Sequence, residues 1–393
     1  MSESREASVG GLFRRFGEDY RSTHKLPLGH LKVMRAVERC RTAALGGHIE
    51  QCTDCGFKRV MYNSCRNRHC PTCQTGARER WLYARKQEAL PIVYYHVVFT
   101  APCELNELML RNKRVCYDLL FCAASETLLD LCRDPKHMGG RPGVLAMLHT
   151  WGQTLIEHPH LHCLVSGGGI SNDGERWVSP RKTNQRRSFF IHVNVISALF
   201  KGKFLAYLDE AYKKDKLCFC GKVEHLQKEA AFKAFKKNLY AKEWVTYCRA
   251  VYRKPEKIID YLGRYTHRVA ISNRRILSVD DKRVTFSYKD YQDKDRRKQM
   301  TLSAEEFIRR FLLHVLPHGY YRIRYYGLFS NRNRKKNLER CRRLLKAAKR
   351  EAKPFDLLDA LYELTGIDMS RCPNCQIGEM RIVKTLEPVY QPP

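Results

Sequence analysis

A cluster of cysteine and histidine residues near the amino terminus constrains the fold of this chain more than any other sequence feature. CxxC spacing occurs twice, at Cys52 and Cys55 and again at Cys70 and Cys73. A CxxC knuckle presents two thiolates to one tetrahedral ion, and two knuckles complete a structural zinc site. These four cysteines are therefore predicted to share one zinc ion. Four more potential ligands in this segment are sufficient for a second ion: Cys40, His48, Cys65 and His69.

The clustering of the cysteines indicates metal binding rather than disulfide formation. Six of the 17 cysteines lie between Cys40 and Cys73, with histidines among them. The first 20 residues contain no apolar segment typical of a secretory signal, and the longest apolar runs are shorter than a membrane span. We therefore expect a cytoplasmic protein whose thiols stay reduced and available to zinc. A zinc site with four protein ligands has no open position, so its role is structural.

The charge balance predicts a polyanionic partner. The chain has 72 Lys and Arg residues against 41 Asp and Glu residues, a formal net charge of +31. Nucleic acid is the commonest partner of such a surface. The alternatives are a basic protein without a nucleic-acid partner, or one that associates with ribosomes.

Three regions are separable along the chain. Residues 1–88 form the predicted zinc-binding domain, residues 89–295 a domain of mixed strands and helices, and residues 296–393 a basic helical region. The predicted strands are 93–100, 144–149, 160–165, 189–195, 244–251, 275–279 and 284–288. The predicted helices are 75–85, 104–131, 196–213, 228–237, 256–264, 304–315 and 332–353.

A histidine-rich strand is a candidate metal site. The segment 158–169 (HPHLHCLVSGGG) is predicted to be extended from His160 onward. Alternate side chains of a strand share a face, so His160 and His162 point the same way. Two imidazoles on one face make a metal site that stays open to substrate oxygens. An HxH pattern alone is also typical of purely structural strands.

A pair of tyrosines about a hundred residues later is a candidate nucleophile pair. Tyr261 and Tyr265 are four residues apart, so a helix would place both hydroxyls on one face. Arg264, His267 and Arg268 would favour the phenolate and contact DNA phosphates. Two aromatics at helical spacing also commonly pack in a core. Combined with the basic charge and the histidine strand, however, they make a set suited to metal-assisted covalent cleavage of DNA.

At these residues the chain resembles the HUH transposases of bacterial insertion sequences, specifically the insertion sequence 91 family. The similarity extends over nearly the whole length. It is carried by five blocks in order: 44–48 (ALGGH), 62–74 (YNSCRNRHCPTCQ), 158–169, 261–272 (YLGRYTHRVAIS) and 324–330 (RYYGLFS).

The resemblance implies an α+β catalytic domain, the HUH nuclease domain, with a central antiparallel sheet flanked by helices. It implies Mg²⁺ or Mn²⁺ on His160 and His162, in addition to structural zinc. It also implies cleavage of single-stranded DNA at element ends through a 5′-phosphotyrosine, followed by rolling-circle transposition, in a bacterial cytoplasm and in association with the nucleoid when DNA is bound. No membrane partner is expected.

Several assignments stay open at this stage. The third ligand of the catalytic ion could be Glu157, His158, His267 or Asn273. Cys372 and Cys375 form half a zinc knuckle with no evident partner, and the Cys218 and Cys220 pair likewise has none. Two other functions remain: a plasmid or phage replication initiator with the same chemistry, and a zinc-dependent nucleic-acid-binding protein without catalysis.

Overall fold

A computed structural model describes residues 7–180, 191–251, 263, 269–348 and 354–389 of the chain. The helices are α1 (Val9–Thr23), α2 (Leu28–Arg39), α3 (Gln74–Glu88), α4 (Asn106–Arg111), α5 (Lys113–Arg133), α6 (Val193–Lys213), α7 (Glu229–Ala241), α8 (Ala304–Leu313), α9 (Arg334–Leu344) and α10 (Leu357–Thr365). The strands are β1 (Gly47–Cys52), β2 (Lys58–Tyr62), β3 (Tyr94–Thr100), β4 (Gly140–Trp151), β5 (Glu157–Ser171), β6 (Trp177–Val178), β7 (Thr246–Val251), β8 (Ile276–Asp280), β9 (Arg283–Asp290), β10 (Arg296–Ser303), β11 (Ile323–Gly327) and β12 (Met380–Leu386).

An antiparallel sheet forms the centre of the molecule. Its strand order is β11-β4-β5-β3-β7, and β6 pairs with the end of β5. One face presents Val97, Leu161 and Val165 to the largest hydrophobic core, which α5 and α6 complete with fully buried side chains such as Phe121 and Phe200. Alternation along each strand places these apolar residues on one face and leaves the next residues for the opposite face.

The opposite face of the central sheet is covered by different helices. Leu145 and Leu164 pack there with Leu82 of α3 and Leu338 of α9. The sheet therefore has helices on both faces, and the predicted α+β class with a central antiparallel sheet is confirmed. We call the side with Leu145 and Leu164 the α3 face.

Two smaller sheets lie outside the central one. Strands β8, β9 and β10 form an antiparallel meander that packs with α1, α2 and α8 around a second core containing Phe13, Phe286 and Phe307. Helix α8 begins where the Ser303 hydroxyl accepts a hydrogen bond from the Glu306 amide at 3.1 Å. The third sheet has the order β12-β1-β2.

The strand connections do not follow the predicted region boundary at residue 296. Strand β11 pairs with β4 of the central sheet, and β12 pairs with β1 of the amino-terminal segment. Strand β10 likewise pairs with β9, so residues 296–393 contribute strands to three sheets begun earlier in the chain. Short segments with few consecutive apolar residues gave no local signal for these long-range pairings.

Two predicted elements differ from the structure. The strand predicted at 189–195 is wrong over its described residues, 191–195, since Val193 already begins α6 and the His192 ring accepts a hydrogen bond from the Asn194 amide at its start. The helix predicted at 104–131 is broken at Asn112, whose side chain donates to the carbonyl oxygens of Leu108 and Cys218. The helix predicted at 256–264 falls outside the described residues, apart from Gly263. Within the described ranges, no helix has the length and apolar character to cross a membrane.

Candidate metal centre and active site

Three histidines converge on the α3 face of the central sheet. His149 on β4 lies directly opposite His160 on β5, and His162 follows two residues later on the same strand. Opposite residues of an antiparallel pair share a face, as do alternate residues of one strand. One ring nitrogen from each histidine consequently lies within 4.8 Å of the other two. We call these residues the histidine cluster.

The spacing within the histidine cluster fits a single metal ion. Nε2 of His160 lies 3.1 Å from Nε2 of His162. Two ligand atoms at about 2.1 Å from an ion, at right angles to each other, are separated by about 3.0 Å. The His149 ring centroid is 4.6 Å from that of His162 and 5.4 Å from that of His160. Three imidazoles on rigid strands, with the remaining positions open to substrate oxygens, suit a catalytic divalent cation.

Hydrogen bonds orient two of the rings. Nδ1 of His160 lies 2.6 Å from the carbonyl oxygen of His158, so it donates there and its Nε2 faces the cluster. Nδ1 of His162 lies 2.9 Å from Nε2 of His96 on β3. Burial lowers the pKa of His96 to about 4, so its imidazole is neutral. In the tautomer with its proton on Nδ1, the Nε2 of His96 accepts the proton on Nδ1 of His162. This tautomer leaves Nε2 of His162 as the ligand atom.

His149 as the third member of the histidine cluster was missed from the sequence. It ends an apolar strand segment, and only the register of β4 against β5 brings it to His160. His96, which supports His162, was missed for the same reason. A histidine inside an apolar strand carries no local signal of its partner on the neighbouring strand.

Three of the four candidates for the third ligand position, Glu157, His158 and Asn273, do not occupy it. The Glu157 side chain is buried near Lys113 and Tyr117, and burial raises its pKa to about 8. The Asn273 side chain accepts a hydrogen bond from the Val9 amide and donates one to the Thr72 hydroxyl. His158 is exposed and contributes its carbonyl oxygen to His160. His267 lies outside the described residues.

The cysteines form two groups of four, and their membership differs from the prediction. The first cysteine cluster is Cys40, Cys65, Cys70 and Cys73. The second cysteine cluster is Cys52, Cys55, Cys372 and Cys375. The expected grouping of Cys52 and Cys55 with Cys70 and Cys73 is therefore wrong. The first CxxC knuckle lies at the turn of the β1–β2 hairpin. The second knuckle lies at the start of α3, away from that turn.

The first cysteine cluster lies beside the core formed by α1, α2 and the β8–β10 sheet. Cys40 and Cys70 are buried members of that core, and Cys65 and Cys73 pack against it. The sulfurs of Cys65 and Cys73 are 3.7 Å apart. Four sulfurs bound to zinc at about 2.3 Å in a tetrahedron are separated by about 3.8 Å, so this spacing fits a structural zinc ion.

The two predicted histidine ligands belong to neither cysteine cluster. His48 lies 3.1 Å from a carboxylate oxygen of Glu50. His69 lines a small cavity with His314 and Arg322. Cysteines occupy all four positions of each group, so the structure requires no histidine there.

The predicted nucleophiles and DNA contacts fall on residues that the structure does not describe. These are Tyr261, Tyr265, Arg264, His267 and Arg268. Gly263, between the tyrosines, is described. A Cβ atom added there would lie 3.0 Å from Cδ1 of Leu82, which packs on the α3 face with Met147. Gly263 is therefore on the same side of the sheet as the histidine cluster.

A basic, aromatic cavity opens on the same side. It is lined by Leu145, Leu164, Arg85, Tyr325 and Arg334 among others. The Glu88 carboxylate pairs with Arg85 at 3.0 Å and with Arg334 at 3.2 Å, so the two guanidiniums leave one net positive charge there. Arg85 donates to the Tyr325 hydroxyl at 3.0 Å, and the Arg334 guanidinium lies 4.9 Å from the centre of the Tyr325 ring. Guanidinium groups beside an aromatic ring suit contacts to nucleic-acid phosphates and bases.

Comparison with known proteins identifies the class. Residues 12–101 match a family model described as "Transposase zinc-binding domain", and residues 143–337 match one described as "Putative transposase". The chain is 46% identical to "Putative transposase y4qJ" of Sinorhizobium fredii, over 98% of this chain and 97% of that protein. It is 26% identical to "Transposase for insertion sequence element IS801" of Pseudomonas savastanoi pv. phaseolicola, over 75% of this chain and 68% of that protein. No solved structure matches.

The zinc-binding domain, the histidine-bearing sheet and these similarities define a transposase, whose partner is DNA. More narrowly, the chain belongs to the insertion sequence 91 family.

Proposed function

We propose that this transposase nicks and rejoins single-stranded DNA at the ends of an insertion sequence through a 5′-phosphotyrosine, in rolling-circle transposition. His149, His160 and His162 hold one Mg²⁺ or Mn²⁺ ion. Tyr261 and Tyr265 are the nucleophiles. Arg264, His267 and Arg268 contact the phosphates of the bound strand.

The histidine cluster is the observation that carries this proposal. The three rings meet on one sheet face, and each comes from a rigid strand rather than a loop. The neutral His96 and the carbonyl oxygen of His158 set their tautomers for metal binding. A site that served only folding would need a fourth protein ligand, and the described residues within reach supply three.

The position of Gly263 supports the pairing of the tyrosines with this cluster. Gly263 packs against Leu82 on the α3 face, two residues from each tyrosine in sequence. The basic cavity at Arg85 and Arg334 opens on the same face. A DNA strand across this face would meet the histidine cluster, the tyrosine segment and cationic side chains together.

The chemistry follows from these groups. The bound divalent ion would polarise the scissile phosphate and reduce its negative charge. The phenolic oxygen of a tyrosine attacks phosphorus, and the new O–P bond forms as the P–O3′ bond breaks. The phenol loses its proton to solvent, and the departing 3′ oxygen takes one up. Attack of a 3′ hydroxyl on the phosphotyrosine reverses these steps and rejoins a strand. Two tyrosines permit a second cleavage before the first intermediate is resolved.

A covalent capture experiment tests the proposal. Single-stranded DNA carrying an element end, labelled on the 3′ side of the cleavage site, is incubated with the protein and Mn²⁺ and separated under denaturing conditions. The labelled strand should migrate with the protein, chelator should prevent this, and peptide mapping should locate the nucleotide on Tyr261 or Tyr265. Cleavage without any covalent adduct would contradict the tyrosine mechanism.

A further inference from the structure

The second cysteine cluster joins the two ends of the chain. Cys52 and Cys55 lie at the turn of the β1–β2 hairpin, whereas Cys372 and Cys375 directly precede β12. Each pair comes from its own CxxC knuckle, and more than 300 residues separate the two knuckles in sequence. The family model for the zinc-binding domain ends at residue 101 and so contains only the first of them.

The distances within this cluster are those of a tetrahedral tetrathiolate site. The sulfur of Cys52 lies 3.7 Å from that of Cys375, and the sulfur of Cys55 lies 3.7 Å from that of Cys372. Zinc–sulfur bonds of about 2.3 Å in a tetrahedron give sulfur separations of about 3.8 Å. A disulfide would require about 2.05 Å, and all four cysteines are free thiols.

Backbone amides around the cluster point at the sulfurs. The amides of Asp54 and Cys55 each lie 3.4 Å from the Cys52 sulfur. On the other knuckle, the Asn374 amide lies 3.4 Å from the Cys372 sulfur, and the Gly378 amide lies 3.5 Å from that of Cys375. Donors of this kind stabilise thiolate over thiol, which is the form that a metal ion binds.

Gly378 allows the two knuckles to approach closely. A Cβ atom at this position would lie 2.4 Å from the Cys52 sulfur and 2.7 Å from the Asp54 Cβ atom. Any larger residue would push the carboxy-terminal knuckle away from the hairpin turn. The absence of a side chain at position 378 thus permits close contact between the two knuckles.

We propose that a second structural zinc ion binds Cys52, Cys55, Cys372 and Cys375, and that it fastens the carboxy-terminal segment 354–389 to the amino-terminal zinc-binding domain. The segment has little apolar burial of its own. Helix α10 contains no fully buried residue, and Ile382 and Val383 of β12 are 62% and 54% exposed. Pairing of β12 with β1 and contacts of Phe355 and Leu357 with α3 add to its attachment. Metal binding supplies the stability that so small a core lacks.

Metal counting tests the ligand assignment. The purified full-length protein, in reducing buffer, should contain two zinc ions per chain by native mass spectrometry and by elemental analysis. The double variant Cys372→Ser/Cys375→Ser should contain one, since the first cysteine cluster is untouched. The matched control Cys218→Ser/Cys220→Ser removes an exposed pair whose sulfurs lie 3.9 Å apart but outside both clusters. This control should keep two zinc ions.

Hydrogen exchange tests whether the zinc ion attaches segment 354–389 to the amino-terminal zinc-binding domain. Amides of β12 should exchange slowly in the wild type and at least tenfold faster in the Cys372→Ser/Cys375→Ser variant, while amides of β4 and β5 stay equally protected in both. Unchanged β4 and β5 protection shows that the variant has folded. A zinc count unaffected by the double substitution would overturn the proposal. So would a mass two units lower that marks a disulfide within the four cysteines, or unchanged β12 exchange.

Discussion

Nε2 of His96 lies 2.9 Å from Nδ1 of His162, so a histidine on β3 holds the ring of a proposed metal ligand on β5. The two rings are nearly parallel, with centroids 5.1 Å apart and an interplanar angle of 13°. His96 is buried, with 4% of its surface exposed. It therefore acts on the metal site through His162 rather than by contacting substrate.

Replacement of His96 should weaken binding of the metal ion, although all three residues of the histidine cluster remain. We expect His96→Ala to raise the Mn²⁺ concentration for half-maximal DNA cleavage by about 10- to 100-fold, with much of the maximal rate recovered at saturating Mn²⁺. His96→Gln retains an acceptor near the position of Nε2 and should fall between the wild type and alanine variants. A His96→Ala protein with unchanged Mn²⁺ dependence would show that His96 has only a packing role.

The third ligand is tested by comparison of His149 with His158. His149→Ala should lower the cleavage rate by at least 100-fold and leave most single-stranded DNA affinity, because affinity comes chiefly from Lys and Arg contacts to phosphates. His158→Ala keeps the backbone carbonyl that His160 uses and should reduce the rate by less than about fivefold. A larger loss in the His158 variant than in the His149 variant would contradict the cluster as the structure defines it.

Glu157 gives a pH dependence of stability with a definite sign. Burial raises the pKa of this carboxyl from 4.5 to about 8, so between these values the folded state holds a proton that the unfolded state has lost. Stability should therefore fall as pH rises through this window, by about 1–3 kcal/mol between pH 5 and 8. The neighbouring Lys113, whose pKa burial lowers to about 8, begins to titrate differently in the two states near the upper end of this window, where it acts with the opposite sign.

Glu157→Gln removes the ionisable carboxyl at nearly constant volume. The loss of stability between pH 5 and 8, measured by urea unfolding, should be smaller in this variant than in the wild type. Equal pH profiles for the two proteins would mean that the folded state ionises Glu157 at an ordinary pKa.

Salt should weaken binding of single-stranded DNA steeply. With a net charge of +31, contact with about six phosphates gives a slope near −4 in a plot of log affinity against log salt concentration. Arg334→Gln, in the basic cavity, should make the slope shallower by about 0.7. Arg133→Gln, on α5 at the other face of the sheet, is the matched control and should leave it unchanged. A slope near zero for the wild type would rule out phosphate contacts as the main source of affinity.

The sequence predicts the parts of this fold that local patterns encode. The strands at 94–100 and 246–251 and the helix from Val193 have strong apolar or β-branched runs, and their predicted ends lie within three residues of those observed. Strand alternation was also enough to place His160 and His162 on one face. These features are determined by residues that lie close to one another in the sequence.

Long-range register accounts for what the sequence did not predict. The meeting of His149 with His160 depends on the pairing of β4 with β5, and the meeting of Cys52 with Cys375 depends on the pairing of β1 with β12. The two CxxC knuckles between Cys52 and Cys73 were predicted to share one ion, yet β2 lies between them and they belong to different clusters. Cysteine spacing identifies a metal knuckle but does not fix which knuckles share an ion.

The assignment of the nucleophiles is tested most directly by the double variant Tyr261→Phe/Tyr265→Phe, which removes two hydroxyls and little volume. Wild type and variant are compared for covalent capture of labelled single-stranded DNA with Mn²⁺, alongside Tyr321→Phe, a matched control at an exposed tyrosine outside the proposed site. The control should form the adduct at the wild-type level. The double variant should bind the same DNA with similar affinity and form no adduct. An adduct in the double variant at a level comparable to the wild type would contradict the assignment of Tyr261 and Tyr265 as the nucleophiles.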